Sequence, residues 1–185
     1  MKTALLVIDV QMAFAHRDAG GAARSCPQAE QNIGALLTGF RGQADKVIHI
    51  HHHSLDETSA FRADLQGCAI QPFAQPVMNE QVIVKHVNSA FIGTTLEADL
   101  RAASITRLVV CGATANHCVE TTTRMAGNLG FDVLYASDAV WAYGVIGPDG
   151  VEHTPEEVHS MSLCNLDGEF AQVLTTADIL EMISV

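Results

Sequence analysis

The sequence predicts an α/β protein in which helices cover both faces of a mostly parallel β-sheet. Nearly continuous apolar runs, typical of strands that are buried on both faces, recur along the chain. Segments whose apolar residues have helical spacing separate these runs, so crossover helices join the strands into a three-layer α/β/α sandwich. Because no internal repeat or linker occurs, residues 1–185 are interpreted as a single domain.

Composition restricts the classes of function. The 10 Lys and Arg residues against 21 Asp and Glu give a net charge of -11, which disfavours nucleic-acid binding because no basic stripe is available. The N-terminal apolar run is too short to span a membrane, and no membrane association is expected. The cysteines are odd in number and scattered, which favours free thiols in a reducing cytoplasm. They are Cys26, Cys68, Cys111, Cys118 and Cys164.

Asp9 lies near the end of the first predicted strand, residues 3–10. Ligands of open α/β sheets bind outside the carboxyl ends of the strands, so this carboxylate is a candidate site residue. Residues 11–27 hold a Gly-Gly pair and several polar residues, and are predicted to form a loop and a pocket wall. An amphipathic helix is predicted over residues 28–40.

A histidine cluster ends the second predicted strand, residues 46–53. Its members are His49, His51, His52 and His53. Successive side chains of a strand alternate between faces, so His52 should point away from the other three. Two histidines at i and i+2 can ligate one metal ion, although a third ligand would have to come from elsewhere. The residues alone therefore leave a metal site open.

Lys85 ends the third predicted strand, residues 81–86, which follows a long polar loop over residues 54–79. A lysine at the end of an apolar strand commonly extends into solvent. However, Asp9, Lys85 and the turn at Gly112 would lie at corresponding ends of parallel strands, as expected for one polar crevice.

Cys118 lies in the stretch from Gly112 to Thr122, between the apolar run Leu108–Val110 and a helix that ends near Gly130. The pattern predicts a strand, a tight turn and a helix, with Cys118 just inside the helix start. There the helix dipole and free N–H groups would lower the thiol pKa and could hold an oxyanion. The alternative is that Cys118 is a small buried apolar residue.

The rest of the chain continues the alternation of strands and helices. The predictions are a helix from Thr94 through Leu100, a strand over 131–136, a loop with Trp141 and Tyr143, a helix from Thr154, a strand over 171–175 and a helix over 176–183.

In one crevice, these residues could hydrolyse an amide or an ester. The carboxylate of Asp9 can take the thiol proton, and the ammonium of Lys85 can hold the negative charges in place. The thiolate of Cys118 can then attack a carbonyl carbon.

The chain resembles the isochorismatase-like cysteine hydrolases, which include nicotinamidases and N-carbamoylsarcosine amidohydrolase. The matching stretches are residues 6–14, Val84-Lys85 with 89–91, 112–122 and 130–133. The resemblance implies a six-stranded parallel sheet, with Cys118 as nucleophile, Asp9 as base and Lys85 as its charged partner. It further implies a cis peptide between Ala113 and Thr114, an oxyanion hole made by the N–H groups of Thr114 and Cys118, and a homo-oligomer, either a dimer or a tetramer.

Two departures bear on the substrate. Nicotinamidases of this family carry an Asp-x-His metal pair, whereas residues 51–54 read His-His-His-Ser and lack the aspartate. No metal or other cofactor is therefore expected. Isochorismatases proper hydrolyse a vinyl ether without needing the cysteine, so the presence of Cys118 disfavours that activity.

The resulting prediction is a hydrolase that cleaves the C–N bond of a small molecule through an acyl-enzyme on Cys118. The predicted substrate-binding residues are Gln11, Phe14, His52, Phe91, Asn116, Trp141 and Tyr143. A metal-dependent hydrolase of the nicotinamidase or isochorismatase type, and a non-catalytic binding module of the same fold, remain as alternatives.

Overall fold

The computed structural model describes residues 1–43 and 46–183; the predicted domain also includes residues 44–45 and 184–185, which lie outside this part. The strands are β1 (Thr3–Ile8), β2 (Lys46–His52), β3 (Gln81–Lys85), β4 (Arg107–Ala113), β5 (Asp132–Trp141), β6 (Val145–Ile146), β7 (Glu152–His153) and β8 (Gln172–Leu174). The helices are α1 (Met12–Ala19), α2 (Ala29–Gly42), α3 (Leu96–Ala102), α4 (Glu120–Asn128), α5 (Pro155–Leu166) and α6 (Thr176–Ile183). Within the described residues, no helix has the length and apolarity needed to cross a membrane.

Six strands form one sheet in the order β3-β2-β1-β4-β5-β8, and all neighbouring strands are parallel. Alternate residues of β1 face opposite layers. Leu6 lies in a core with residues of α3, α4 and α5, whereas Leu5 lies in a second core with residues of α2 and α6. The predicted three-layer sandwich and the six-stranded parallel sheet are therefore confirmed.

The sheet brings the carboxyl ends of β1, β3 and β4 together. β1 pairs with β2 up to Ile8 opposite Ile50, and β2 then pairs His52 with Lys85 of β3. On its other side, Ile8 lies opposite Gly112 of β4. Gly112 has a φ of 119°, and a Cβ there would collide with the backbone of Ile8. Only glycine permits this close approach of the two strands.

Residues 11–27 were predicted to form a loop but contain helix α1. This helix buries Ala13, and its other residues are partly or fully exposed. The helix has only eight residues, which is too short a window for the spacing of apolar residues to identify it beside the Gly20-Gly21 pair.

The prediction that the fifth strand ends at residue 136 is also wrong, because β5 continues to Trp141. The polar residues Ser137 and Asp138 suggested the earlier end. Both are satisfied within the fold: Ser137 Oγ donates to the Leu174 carbonyl at 3.0 Å, and Asp138 accepts from the N–H of Thr176 at 2.7 Å. The predicted loop beyond the strand holds a short antiparallel hairpin made of β6 and β7.

Candidate active site

Lys85 lies between the two other residues of the predicted crevice. Its Nζ is 2.7 Å from Oδ2 of Asp9 and 3.2 Å from Sγ of Cys118. Asp9 and Lys85 are each 1% exposed, whereas Cys118 is half-buried and lines a cavity. The structure thus brings the carboxylate, the ammonium and the thiol into contact at one end of the sheet.

Burial controls the protonation of this group. It raises the pKa of Asp9, although the ion pair with Lys85 acts in the opposite direction. It also raises the pKa of Cys118 to about 12, an effect that the Asp9 carboxylate increases and Lys85 only partly offsets. The prediction of a lowered thiol pKa is therefore wrong, because desolvation of the thiolate is the largest effect. Cys118 rests as a thiol, and a base has to remove its proton before it can attack.

The turn after β4 determines where Cys118 lies. The peptide bond between Ala113 and Thr114 is cis, in agreement with the resemblance. A single π-helical turn, Ala115–Val119, precedes α4, so Cys118 belongs to this turn and not to the first turn of an α-helix. The backbone N–H of Thr114 donates to no acceptor among residues 1–43 and 46–183, and Thr114 lines the same cavity as Cys118. This N–H is available to a ligand.

The cavity beside Cys118 has a volume of about 340 Å³. Four of the predicted substrate-binding residues line it, namely Phe14, His52, Asn116 and Tyr143. Sequence reasoning missed six further lining residues: Arg17, Phe61, Asn88, His117, Gly144 and Val145. Asn88 adjoins one of the matching stretches and His117 lies inside another, so both could have been found on that signal. The others lie on α1, the long loop and the hairpin, whose positions over the sheet depend on tertiary packing.

Gln11 does not line the cavity, contrary to the prediction, and is fully buried. Its side-chain amide accepts from the N–H of His52 at 2.9 Å and donates to the His52 carbonyl at 3.0 Å. The same amide nitrogen donates to the carbonyl of Cys68 at 2.9 Å. Gln11 therefore ties the end of β2 to the long loop.

Phe91 and Trp141 also lie away from the cavity, contrary to the prediction. Phe91 stacks on Phe131 in the core, with ring centroids 6.0 Å apart. Trp141 is fully buried, and its ring meets that of Phe14 edge-on with centroids 5.7 Å apart. Trp141 is thus a support for the cavity wall, since Phe14 separates it from the cavity.

The histidine cluster divides between the two faces of β2, as predicted. The ring of His49 lies beside that of His51, with centroids 6.4 Å apart, and Nε2 of His49 is 2.8 Å from Glu80. His52 lies on the other face, where its Nδ1 is 3.3 Å from Nζ of Lys85. The cluster therefore provides no common set of histidine ligands.

One other group of side chains offers several metal-binding atoms close together. Among the described residues, the donor atoms of Asp9, His52 and Cys118 lie within 4.8 Å of one another. However, Nζ of Lys85 is 2.7 to 3.3 Å from an atom of each of these three side chains, so a positive charge already lies beside them. The group thus fits an ammonium and does not fit a metal ion.

Glu80 is expected to contribute to acid sensitivity. Burial raises its pKa, but hydrogen bonds from Arg41, Val77 and His49 outweigh this effect and lower the pKa from 4.5 to about 2. Because the folded-state pKa is the lower one, the contribution of Glu80 is complete above pH 4.5 and is lost as the pH falls toward 2. We expect Glu80→Gln to reduce the free energy of unfolding at pH 7 and to weaken its fall below pH 4.5.

Urea unfolding of the variant across this pH range provides the measurement. Glu152→Gln, a change at an exposed residue of β7, is the matched control. If Glu80→Gln kept the full acid dependence of the original chain, Glu80 would not be the group responsible.

The fold and the site define a class of protein: a three-layer α/β/α sandwich with a thiol, a carboxylate and an ammonium at the carboxyl ends of parallel strands. Comparison with known proteins agrees with this class. The sequence profile of the isochorismatase domain matches residues 3–178. YrdC, an uncharacterized isochorismatase family protein of Bacillus subtilis (strain 168), is 41% identical over 179 residues, which cover 97% of this chain and 95% of the relative.

A streptothricin hydrolase of Streptomyces noursei is 30% identical over 161 residues, which are 85% of this chain and 56% of that protein. Among solved structures, one assigned as a hydrolase of the isochorismatase family from Chromobacterium violaceum has a TM-score of 0.94 and 44% identity, covering 99% of this chain and 94% of the other. A cysteine hydrolase from Pseudomonas syringae pv. phaseolicola has a TM-score of 0.90 and 25% identity, with coverage of 99% and 92%. The chain therefore belongs to the isochorismatase family and is a hydrolase.

Proposed function

We propose that this hydrolase cleaves the C–N bond of a small amide through a covalent acyl-enzyme on Cys118. The contact of the Lys85 ammonium with both Asp9 and Cys118, beside a cavity of about 340 Å³, carries the proposal. The likeness to a protein named cysteine hydrolase supports the thiol as the nucleophile. The likeness to streptothricin hydrolase supports hydrolysis of a small molecule.

The first half of the proposed reaction makes the thioester. Asp9 takes the proton of the Cys118 thiol as Sγ forms a bond to the amide carbon, and Lys85 offsets the negative charge that appears on sulfur. The N–H groups of Thr114 and Cys118 stabilise the oxyanion of the tetrahedral intermediate. Asp9 then returns the proton to the leaving nitrogen, the C–N bond breaks, and an amine or ammonia departs.

The second half releases the acid. Asp9 removes a proton from a water molecule, whose oxygen attacks the thioester carbon. The S–C bond breaks as the tetrahedral intermediate collapses, and the proton passes to Sγ of Cys118, which restores the thiol. The raised pKa of Asp9 makes its carboxylate a stronger base for this cycle. The raised pKa of Cys118 makes its proton harder to remove, but the thiolate, once formed, is a stronger nucleophile.

A panel of small primary amides, assayed for ammonia release and by mass spectrometry of the intact protein, tests this function. Turnover of at least one amide, with a transient mass increase that maps to Cys118, is the expected result. Turnover without acylation would contradict the covalent route, and ester or vinyl-ether turnover without amide turnover would contradict the bond type.

Removal of divalent metals is expected to leave the activity unchanged. The physical reason is that the Lys85 ammonium fills the space between Asp9, His52 and Cys118, so the reaction needs no other cation there. Turnover is compared before and after exhaustive dialysis against a chelator. Loss of turnover that zinc, iron or manganese restores would revive a metal-dependent, nicotinamidase-like function.

The five cysteines are free, which supports a reducing cytoplasm as the location.

Exposed apolar side chains on the β6–β7 hairpin and α5, among them Ile146, Val151 and Met161, support association into a homo-oligomer, a dimer or tetramer. The two cores lie on opposite faces of one sheet, which supports treating the chain as one domain. The net charge of -11 supports a small substrate and no nucleic acid.

A further inference from the structure

Arg17 differs from the other arginines because it has no acidic partner among the residues that the structure describes. The remaining six, all in the described part, form ion pairs with N–O distances of 2.6 to 3.4 Å: Arg24, Arg41, Arg62, Arg101, Arg107 and Arg124. Arg17 forms neither an ion pair nor a side-chain hydrogen bond with any residue of 1–43 and 46–183. In a chain with 21 acidic and 10 basic residues, an unpaired arginine is unexpected from composition alone.

Arg17 lies in the last turn of α1 and lines the cavity that contains Cys118. Its guanidinium carbon is 3.8 Å from the centroid of the Tyr143 ring. Stacking of this kind holds a guanidinium by its face and leaves the N–H groups along its edge free to donate. The Tyr143 ring therefore holds the Arg17 guanidinium beside the cavity with its N–H groups free to donate.

The neighbouring acid, Asp18, is already engaged by other groups. Its Oδ2 is 3.3 Å from Nη1 of Arg24, and its Oδ1 accepts from the hydroxyl of Tyr143 at 2.6 Å. Tyr143 thus uses its hydroxyl to hold Asp18 and its ring to hold Arg17. This arrangement engages the Asp18 carboxylate with groups other than the Arg17 guanidinium.

The other charges at the cavity compensate one another. Asp9 is paired with Lys85, and burial lowers the pKa of His52 to about 4, so its ring is neutral at pH 7. Among the described lining residues, Arg17 is then the one with a permanent charge and no partner. The rings of Phe14 and Phe61 provide an apolar wall for the body of a ligand.

We propose that Arg17 is the substrate-specificity residue and binds a carboxylate at the end of the substrate remote from the scissile amide. A guanidinium edge matches the planar geometry of a carboxylate, with two parallel N–H···O bonds. This inference rests on the proposed function and narrows its substrate class to small amides that carry a carboxylate. The cavity volume of about 340 Å³ limits the substrate to a small molecule.

Binding to the Cys118→Ala protein tests the inference without requiring turnover. The probes are matched pairs: succinamate with 4-hydroxybutanamide, and glutaramate with 5-hydroxypentanamide. They differ only in a terminal carboxylate or hydroxymethyl group. Affinities are measured by NMR titration in Cys118→Ala and again after adding Arg17→Gln, Arg17→Lys or Arg107→Gln, a paired arginine at the amino end of β4.

We expect at least one carboxylate probe to bind about 10-fold or more tightly than its hydroxymethyl partner. Arg17→Gln should remove this preference, Arg17→Lys should retain part of it, and Arg107→Gln should leave it unchanged. Equal binding within each pair, no binding of either carboxylate, or a preference that survives Arg17→Gln would overturn the inference. Selective binding that depends on Arg17, together with no amide turnover in the original enzyme, would instead count against the proposed function alone.

Discussion

Cys118→Ala and Cys118→Ser are each expected to lose at least about 10⁴-fold in kcat/KM while keeping the fold. Alanine has no nucleophilic atom, and the serine hydroxyl is far less acidic than a thiol, so the Asp9 carboxylate would not activate it. The fold should survive because Cys118 is only half-buried and packs at the border of one core. Ammonia release and far-UV circular dichroism measure the two effects.

Cys164→Ala is the matched control, since this cysteine is exposed on α5 and lies away from the cavity. Its turnover should equal that of the original enzyme. Substantial turnover by either Cys118 variant would exclude the covalent route. Equal loss in Cys164→Ala would show that the assay reports on general thiol damage.

The effects of Asp9→Asn and Lys85→Met on turnover are expected to be coupled. The double variant should then lose little more kcat/KM than either single variant. Each single change should lower kcat/KM by roughly 10³-fold or more, because the proton transfer requires both charges in place. A double-mutant cycle on kcat/KM measures the coupling. Losses that simply multiply would show that the carboxylate and the ammonium act independently.

Stability should follow a different pattern from turnover in the same variants. Either single change leaves the partner charge buried and uncompensated, a loss of roughly 3–5 kcal/mol in the free energy of unfolding. The double variant removes both charges and should regain much of this stability while remaining inactive. Arg107→Met, which breaks an exposed pair with Asp132, should cost only about 1 kcal/mol or less and is the control.

The three residues of the candidate site could be predicted because each follows a local pattern in the chain. Asp9 and Lys85 come at the ends of apolar runs, and parallel pairing puts such ends on one edge of a sheet. Cys118 follows another such run after a glycine. Their proximity then depends only on strand order, which alternating strands and helices restrict strongly.

The protonation state and the walls of the site could not be predicted in the same way. The thiol pKa of Cys118 depends on burial by residues distant in the chain, which outweighs any helix dipole. Phe91 and Trp141 pack in the cores without reaching the cavity, whereas Phe14 and Tyr143 pack with the second core and also line the cavity. Whether an aromatic ring lines a cavity or supports it is decided by packing, and residue type carries no signal for it.

The two hydrogen bonds between the side-chain amide of Gln11 and the backbone of His52 have a consequence for engineering. A glutamate there could not donate to the carbonyls of His52 and Cys68, and a shorter amide would not reach them, so we expect this position to tolerate little variation. These hydrogen bonds hold the end of β2 through backbone atoms of His52. We therefore expect a combinatorial library at Phe14, Phe61 and Val145 to diversify the cavity walls while Asp9, Lys85 and Cys118 keep their positions. The fold thus holds the candidate catalytic residues apart from the cavity walls, which makes it a suitable starting point for directed evolution toward new substrates.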